Sequence, residues 1–197
     1  ENCIGLEELT IAYQNDACLV DENEGSYEYC DWSISELFGE EKGMLKKVTV
    51  NPNAEGYADI WDSMFEGMHG LVNVIIPESV DYIGYDAFNR CKSISEINLP
   101  SGVKFLGYNT FKDCESLENI ILPDTVEFIE DNAFSGCTSL LEIIIPESVC
   151  WIGNEAFSDC TNLEKIVIYA KKNTEKRHPG SQMRKKKSEY AMQLNEK

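Results

Sequence analysis

The sequence predicts an α/β solenoid of six to seven short coils whose parallel strands line one sheet. Three series of residues carry this reading. Pro77, Pro100, Pro123 and Pro146 recur every 23 residues, Phe88, Phe111, Phe134 and Phe157 keep the same interval, and so do Cys91, Cys114, Cys137 and Cys160. A fixed period in this range marks a unit that buries its apolar edge only by stacking on its neighbours. Four full coils follow directly, at residues 71–93, 94–116, 117–139 and 140–162.

The elements can be taken in chain order. Leu6, Leu9 and Ile11 repeat the apolar spacing of Leu45, Val48 and Val50, so GLEELTIA supplies the first strand. The remainder of residues 1–44 keeps little of the pattern, as expected of a degenerate first repeat that caps the array and turns a polar face to water. The array proper spans residues 45–170. LKKVTVNP (45–52) begins a coil three residues longer than the rest, whose Phe65 stands 23 residues before Phe88, and LEKIVIYA (163–170) supplies a last strand. Seven strands at about 4.8 Å spacing would make a body roughly 30 Å long.

Each coil is assigned from its own residues. Apolar side chains at positions one, four and six of a unit, such as Leu140, Ile143 and Ile145, face inward, so positions three and five face outward. Proline at position seven lacks an amide hydrogen and ends the ladder. Val80, Val103, Val126 and Val149, with Ile83, Leu106, Ile129 and Ile152, form a second inward column. Gly84, Gly107 and Gly153 turn the chain, and a turn of helix holding Ala87, Ala133 or Ala156 carries the phenylalanine into the core. Glu130 replaces the glycine in one coil, where it is strained if the position needs a positive φ.

Composition fits one domain, with 197 residues of which 43% are hydrophobic. No stretch approaches the roughly 20 apolar residues of a membrane span, and no basic-then-apolar leader opens the chain, so membrane insertion is not expected. Charge divides the sequence. Residues 1–170 hold 32 acidic and 8 basic side chains, whereas residues 171–197 hold 9 basic and 3 acidic. The body should therefore repel nucleic acid, and the only basic cluster is in the tail, at Arg184, Lys185, Lys186 and Lys187. That tail reads as a solvated segment or one that lies on the acidic body, with an anion site as the sharper alternative.

The pattern L-x-x-I-x-I-P-x-x-V-x-x-I-G-x-x-A-F-x-x-C resembles the BspA-like leucine-rich repeats. The resemblance covers residues 45–170 closely and residues 1–44 weakly. It implies a right-handed, horseshoe-like solenoid with a concave sheet, protein binding, adhesion to host surface or matrix proteins, frequent secretion, and no catalytic residues. It also implies a closing helix, for which SEYAMQLNEK (188–197) offers Tyr190, Ala191 and Leu194 on one face. The basic stretch 171–187 before it departs from the usual short connection.

The cysteine column is expected to hold free buried thiols. Stacked side chains about 4.8 Å apart and parallel do not suit a disulfide, which wants Cβ atoms near 3.8 Å, and free cysteine packs as a small hydrophobe. Zinc would need converging ligands, and no C-x-x-C pair is present. Cys3, Cys18 and Cys30 lie outside the column; a secreted chain leaves open one bridge among them, and Cys150 has no assignment. The run 21–25 faintly resembles a calcium loop but lacks its alternating ligands and terminal glutamate.

No motif for catalysis or for a cofactor is present, and neither is expected. His69 and His178 read as surface histidines, and neither has a nucleophile at a recognisable spacing. Two outward columns stand out instead. On the sheet, position five holds Ile75, Asn98, Ile121, Ile144 and Val167, and position three holds Asn73, Glu96, Asn119, Glu142 and Lys165, with Tyr169 at the C-terminal end. This mixture of an apolar stripe and polar flanks suits a partner-binding face. On the flank, Tyr82, Phe105, Phe128 and Trp151 form an aromatic column, read as a stabilising ladder or, alternatively, as a platform for a sugar or a partner.

The function expected is a non-enzymatic protein-binding or adhesion module of a bacterial surface or secreted protein. The alternatives are a cytoplasmic interaction scaffold and a non-catalytic targeting or carbohydrate-binding domain of a larger enzyme.

Overall fold

The computed structural model describes residues 6–12, 34, 44–56 and 58–169. Among the described residues seven parallel strands succeed one another along one side: β1 (Glu8–Ala12), β2 (Lys47–Asn51), β3 (Asn73–Ile75), β5 (Glu96–Asn98), β7 (Asn119–Ile121), β9 (Glu142–Ile145) and β11 (Lys165–Ile168). Ladders join β1–β2–β3, β5–β7 and β9–β11, while β3 lies against β5 and β7 against β9. A second side is made of four two-residue strands, β4 (Tyr82–Ile83), β6 (Phe105–Leu106), β8 (Phe128–Ile129) and β10 (Trp151–Ile152), and Ile60 bridges to Ile83 to extend it by one coil. Five coils are complete among the described residues, fewer than the six to seven expected, because β1 and β11 contribute strands whose remaining coil lies outside the described residues.

Proline closes β3, β5, β7 and β9 by two means. It offers no amide to the ladder, and its carbonyl accepts from the valine three residues on, as Val80 N–H donates to Pro77 O at 3.1 Å and Val126 N–H to Pro123 O at 3.0 Å. That turn aims Val80, Val103 and Val126, all fully buried, into the core.

The third side corrects the sequence reading, because it is a set of turns and not of helical segments. Two residues in every coil hold a left-handed backbone: Ser63 and Gly67, Asp86 and Arg90, Asn109 and Asp113, Asn132 and Gly136, Glu155 and Asp159, all with φ of 53–75°. A right-handed helix needs negative φ at every residue, so two such positions four apart exclude it. Asn, Asp and Gly tolerate this region best, which explains their recurrence at these places. The turns instead bond outward to the next coil. The amides of Asn109, Phe111 and Asp113 donate to the carbonyls of Asp131, Ala133 and Ser135 at 3.1, 2.8 and 2.8 Å, and the same triplet recurs in the preceding and following coils.

Glycine at the coil corner also has a different cause from the one expected. Gly84, Gly107 and Gly153 do not adopt a positive φ, so Glu130 at the same position carries no strain of that kind. The need is for closeness. A Cβ on Gly153 would stand 2.3 Å from Asp131 N and one on Gly84 2.5 Å from Asp62 N, separations that only a displaced coil could accommodate. The carboxylates of Asp62 and Asp131 use this approach to accept from the amides of Tyr85 at 2.7 Å and Asn154 at 2.6 Å.

Inside, the columns stack coil on coil. Phe65, Phe88, Phe111 and Phe134 are fully buried, and successive rings from Phe65 to Phe157 lie parallel within 24°, with centroids 5.1–5.5 Å apart. Offset stacks of this kind contribute about 0.5–1.5 kcal/mol per pair beyond burial. The four cysteines of the column are free, as expected of in-register thiols. Each donates its S–H to the phenylalanine carbonyl of the preceding coil, Cys91 to Phe65, Cys114 to Phe88, Cys137 to Phe111 and Cys160 to Phe134, at 3.1–3.2 Å. Burial pushes the thiols of Cys91, Cys114 and Cys137 far above the ordinary range and that of Cys160 up to about 11.

Candidate functional site

The long sheet presents two outward rows whose register follows from its ladders. One row runs Glu8, Lys47, Asn73, Glu96, Asn119, Glu142, Lys165, and the other Thr10, Thr49, Ile75, Asn98, Ile121, Ile144, Val167. Strand alternation gives this display directly, since buried Val74, Ile97, Ile120 and Ile143 stand between the exposed members of each strand. Asn73, Glu96, Asn98, Asn119, Glu142 and Lys165 are all exposed, and Val167 is half-buried. Ile121 is 82% exposed, Ile75 and Ile144 47% each, and Tyr169 58% at the end of the last strand.

Sequence reasoning missed part of this surface. Val72 and Leu141, at position two, are 46% and 51% exposed. The signal was present in the apolar residues themselves. Strict alternation, however, assigns no face to a residue just before its strand begins.

The apolar residues are not spread evenly over the rows. β5 crosses the sheet as a polar band, Glu96 and Asn98, so Ile75 is separated from the patch formed by Ile121, Ile144 and Val167 on β7, β9 and β11. Charge is sorted as well. The row through Ile121 carries no charged side chain, and the three carboxylates and two ammonium groups of the face, Glu8, Glu96, Glu142, Lys47 and Lys165, all lie in the other row. Two ion pairs neutralise four of the five sheet charges, Glu8 with Lys47 at 3.4 Å and Glu142 with Lys165 at 2.9 Å, leaving Glu96. Exposed pairs of this kind stabilise little, about 0–1 kcal/mol, but they hold the face near neutrality within an acidic chain.

The flank column occupies the second side. Phe105 and Phe128 stack at 4.7 Å and 7°, Phe128 is buried, and Tyr82, Phe105 and Trp151 are half-buried. Rings closed face to face against each other leave edges for a ligand, which favours the ladder over the platform. A second aromatic pair, Tyr85 and Tyr108, went unnoticed in the sequence because the next coils carry Asp131 and Asn154 at that position. These two rings meet edge to face at 5.2 Å and are exposed. Burial, with Glu130 and Asp131 nearby, raises the Tyr108 hydroxyl above the ordinary tyrosine range.

His69 lies in a turn where its Nδ1–H donates to Arg90 O at 3.0 Å, a structural bond between coils. Among the described residues no group of three or more His, Cys, Asp or Glu side chains is arranged to hold a metal ion, and no helix is long and apolar enough to cross a membrane. Cys3, Cys18, Cys30, His178, the segment 21–25, the basic stretch 171–187 and the segment 188–197 lie outside the described residues.

A model of the BspA type leucine rich repeat region matches residues 58–177 in six copies. Among curated proteins none matches significantly. A leucine-rich repeat protein from Bacteroides ovatus is 38% identical over 57% of this chain and 29% of its own, with a TM-score of 0.55. A leucine rich repeat protein from T. pallidum is 34% identical over 61% of this chain and 57% of its own, at 0.59. A leucine rich cell surface protein from Faecalibacterium prausnitzii shares the fold at 23% identity, over 86% of this chain and 52% of its own, at 0.54. The chain thus spans less than two thirds of each of these structures.

Proposed function

Because the chain belongs to the BspA-type leucine-rich-repeat family, whose solenoids generally serve protein interaction and are typically non-catalytic, we propose that it is a non-enzymatic binding module that receives a protein partner on the long sheet. The observation that carries this reading is the sorting of charge and apolar surface. Interface cores are depleted in charged residues and ringed by polar ones, and here a near-neutral face with Ile121 82% exposed sits in a chain of net charge −18. β-branched residues favour strands whatever they face, which accounts for isoleucine in a strand. Strand preference does not account for the absence of charge from the whole row that holds Ile121 and Ile144. Placement at a bacterial cell surface or in the secreted fraction, with a host surface or matrix protein as partner, belongs to the same proposal and draws on the family.

The test is the double variant Ile121→Asp with Ile144→Asp, assayed for capture of matrix proteins. Partner binding is expected to be lost while the thermal midpoint moves little, since outward residues contribute little to the core. Undiminished binding by a folded double variant would shift attention to the aromatic flank.

A further inference from the structure

The apolar patch on β7, β9 and β11 has a rim of one sign. Glu118 immediately precedes β7, Glu164 immediately precedes β11, and Asp124 follows Ile121 by three residues in the turn that closes β7. All three are exposed and none has an ion pair among the described residues. The basic groups of the neighbouring coils are engaged or lie on other sides: Lys165 holds Glu142 at 2.9 Å, Arg90 and Lys92, on the turn side, face Asp113 and Glu115, Lys112 also lies among the turns, and Lys104 immediately precedes β6 on the second side. Screening confines exposed charges to a reach of about 8 Å at physiological salt, so carboxylates at the strand ends act on whatever covers the patch, while those on the turns do not.

We propose that the occupant of this patch is a cationic amphipathic polypeptide segment, one that lays apolar side chains over Ile121, Ile144 and Leu141 and sets Lys or Arg against Glu118, Asp124 and Glu164. This rests on the long sheet being the binding face. An anionic partner would meet three unneutralised carboxylates at the edge of a desolvated contact, and a neutral one would leave them without compensation. A second copy of this chain brings the same acidic rim and is disfavoured for the same reason.

The experiment measures binding of a synthetic peptide of alternating Lys and Leu, and of its Glu and Leu counterpart, to the full-length chain at low and high salt. The cationic peptide is expected to bind and the anionic one not. The rim variant Glu118→Gln, Asp124→Asn, Glu164→Gln should weaken the cationic peptide about tenfold. A variant of equal charge change on the other sides, Asp81→Asn, Glu155→Gln, Asp159→Asn, should weaken it less than about twofold. Equal loss in the two triple variants would overturn the rim as the determinant and leave a diffuse field in its place. Equal binding of both peptides, with both lost in the Ile121→Asp, Ile144→Asp variant, would overturn the cationic partner but uphold the sheet as the face. Retention of the cationic peptide by that double variant would overturn the face itself. Two other occupants are also read out. Affinity that rises more than about tenfold when Arg184, Lys185, Lys186 and Lys187 are all replaced by Gln would assign the patch to the chain's own tail. Sedimentation showing a dimer that the double variant abolishes would assign it to a second copy. Either result would overturn the external partner.

Discussion

The coil that contains β2 and the four regular coils after it solve the same packing problem with different side chains. In the regular coils the two small interior columns hold Ala87, Thr110, Ala133 and Ala156, then Cys91, Cys114, Cys137 and Cys160. The longer coil carries Met64 and Met68 at those places, both fully buried, and Ile34 donates its amide to Met64 O at 3.1 Å. Where a coil is followed on both sides by copies of itself, small residues suffice because neighbouring phenylalanines fill the interval. Where the repeat breaks, an unbranched, adaptable side chain fills an irregular space. Regularity of sequence thus becomes rigidity of packing, and its loss is met by softness.

The largest expected effect tests that contrast at the phenylalanines. Phe134 lies between Phe111 and Phe157, with no flexible neighbour in its columns, so Phe134→Ala should cost about 3–5 kcal/mol in chemical denaturation. Phe65→Ala should cost distinctly less, because Met64 and Met68 can relax into the void. Equal losses would mean that methionine is no softer here than alanine and cysteine.

A second test uses titration of the regular columns. The folded pKa of each buried thiol lies above its value of 9.0 in the unfolded chain, so both states hold the proton below that value and stability is unaffected there. Above it the unfolded chain releases protons that the folded one keeps, and stability falls by about 1.4 kcal/mol per pH unit for each such thiol. Urea midpoints should decline as the pH rises through about 9, and Cys114→Ala should remove one thiol's share of the slope. A slope unchanged by that substitution would show that Cys114 ionises equally in both states. Cys160, raised only to about 11, should be the first of the four to react with a thiol reagent as the pH rises.

The smallest effect lies in the turns. Glu155 holds a left-handed backbone at φ 55° without the tolerance of Asn or Gly, so Glu155→Gly should gain about 0.5–1 kcal/mol. A loss would show that its side chain holds the turn by contacts that outweigh the strain.

The period, the inward columns and the outward rows of the sheet were legible because each recurs at one fixed interval and alternation within a strand has only two outcomes. The turn side was misread for a physical reason. Ala87 and Phe88 suggest a helical turn when read alone. The deciding residues are Asp86 and Arg90 around them, and arginine gives no hint of a left-handed backbone. Glycine at the coil corner was recognised but assigned to backbone freedom, because the nearness of Asp131 N to Gly153 is a contact between coils that the sequence of one coil does not contain. The same holds for the rim of the patch. Glu118 and Glu164 share position two of the repeat, where strand alternation assigns no face, and Asp124 stands at position eight, so only the stacking of coils brings them around one surface.

The bonds between coils run in two directions. On the turn side amides donate forward, Phe88 N–H to Thr110 O at 2.9 Å, while on the long sheet they donate backward, Glu118 N–H to Ser95 O at 3.0 Å, and the thiols also point back. Every coil therefore offers the same donors and acceptors to the coil above as the one below offers to it. If residues 94–116 were excised, Phe88 N–H would meet Ala133 O in place of Thr110 O, and Cys137 would find the carbonyl of Phe88 in place of that of Phe111. Duplication or deletion of a 23-residue unit by recombination leaves each junction chemically matched. Lineages can therefore lengthen or shorten the recognition face in whole steps without first inventing a new contact.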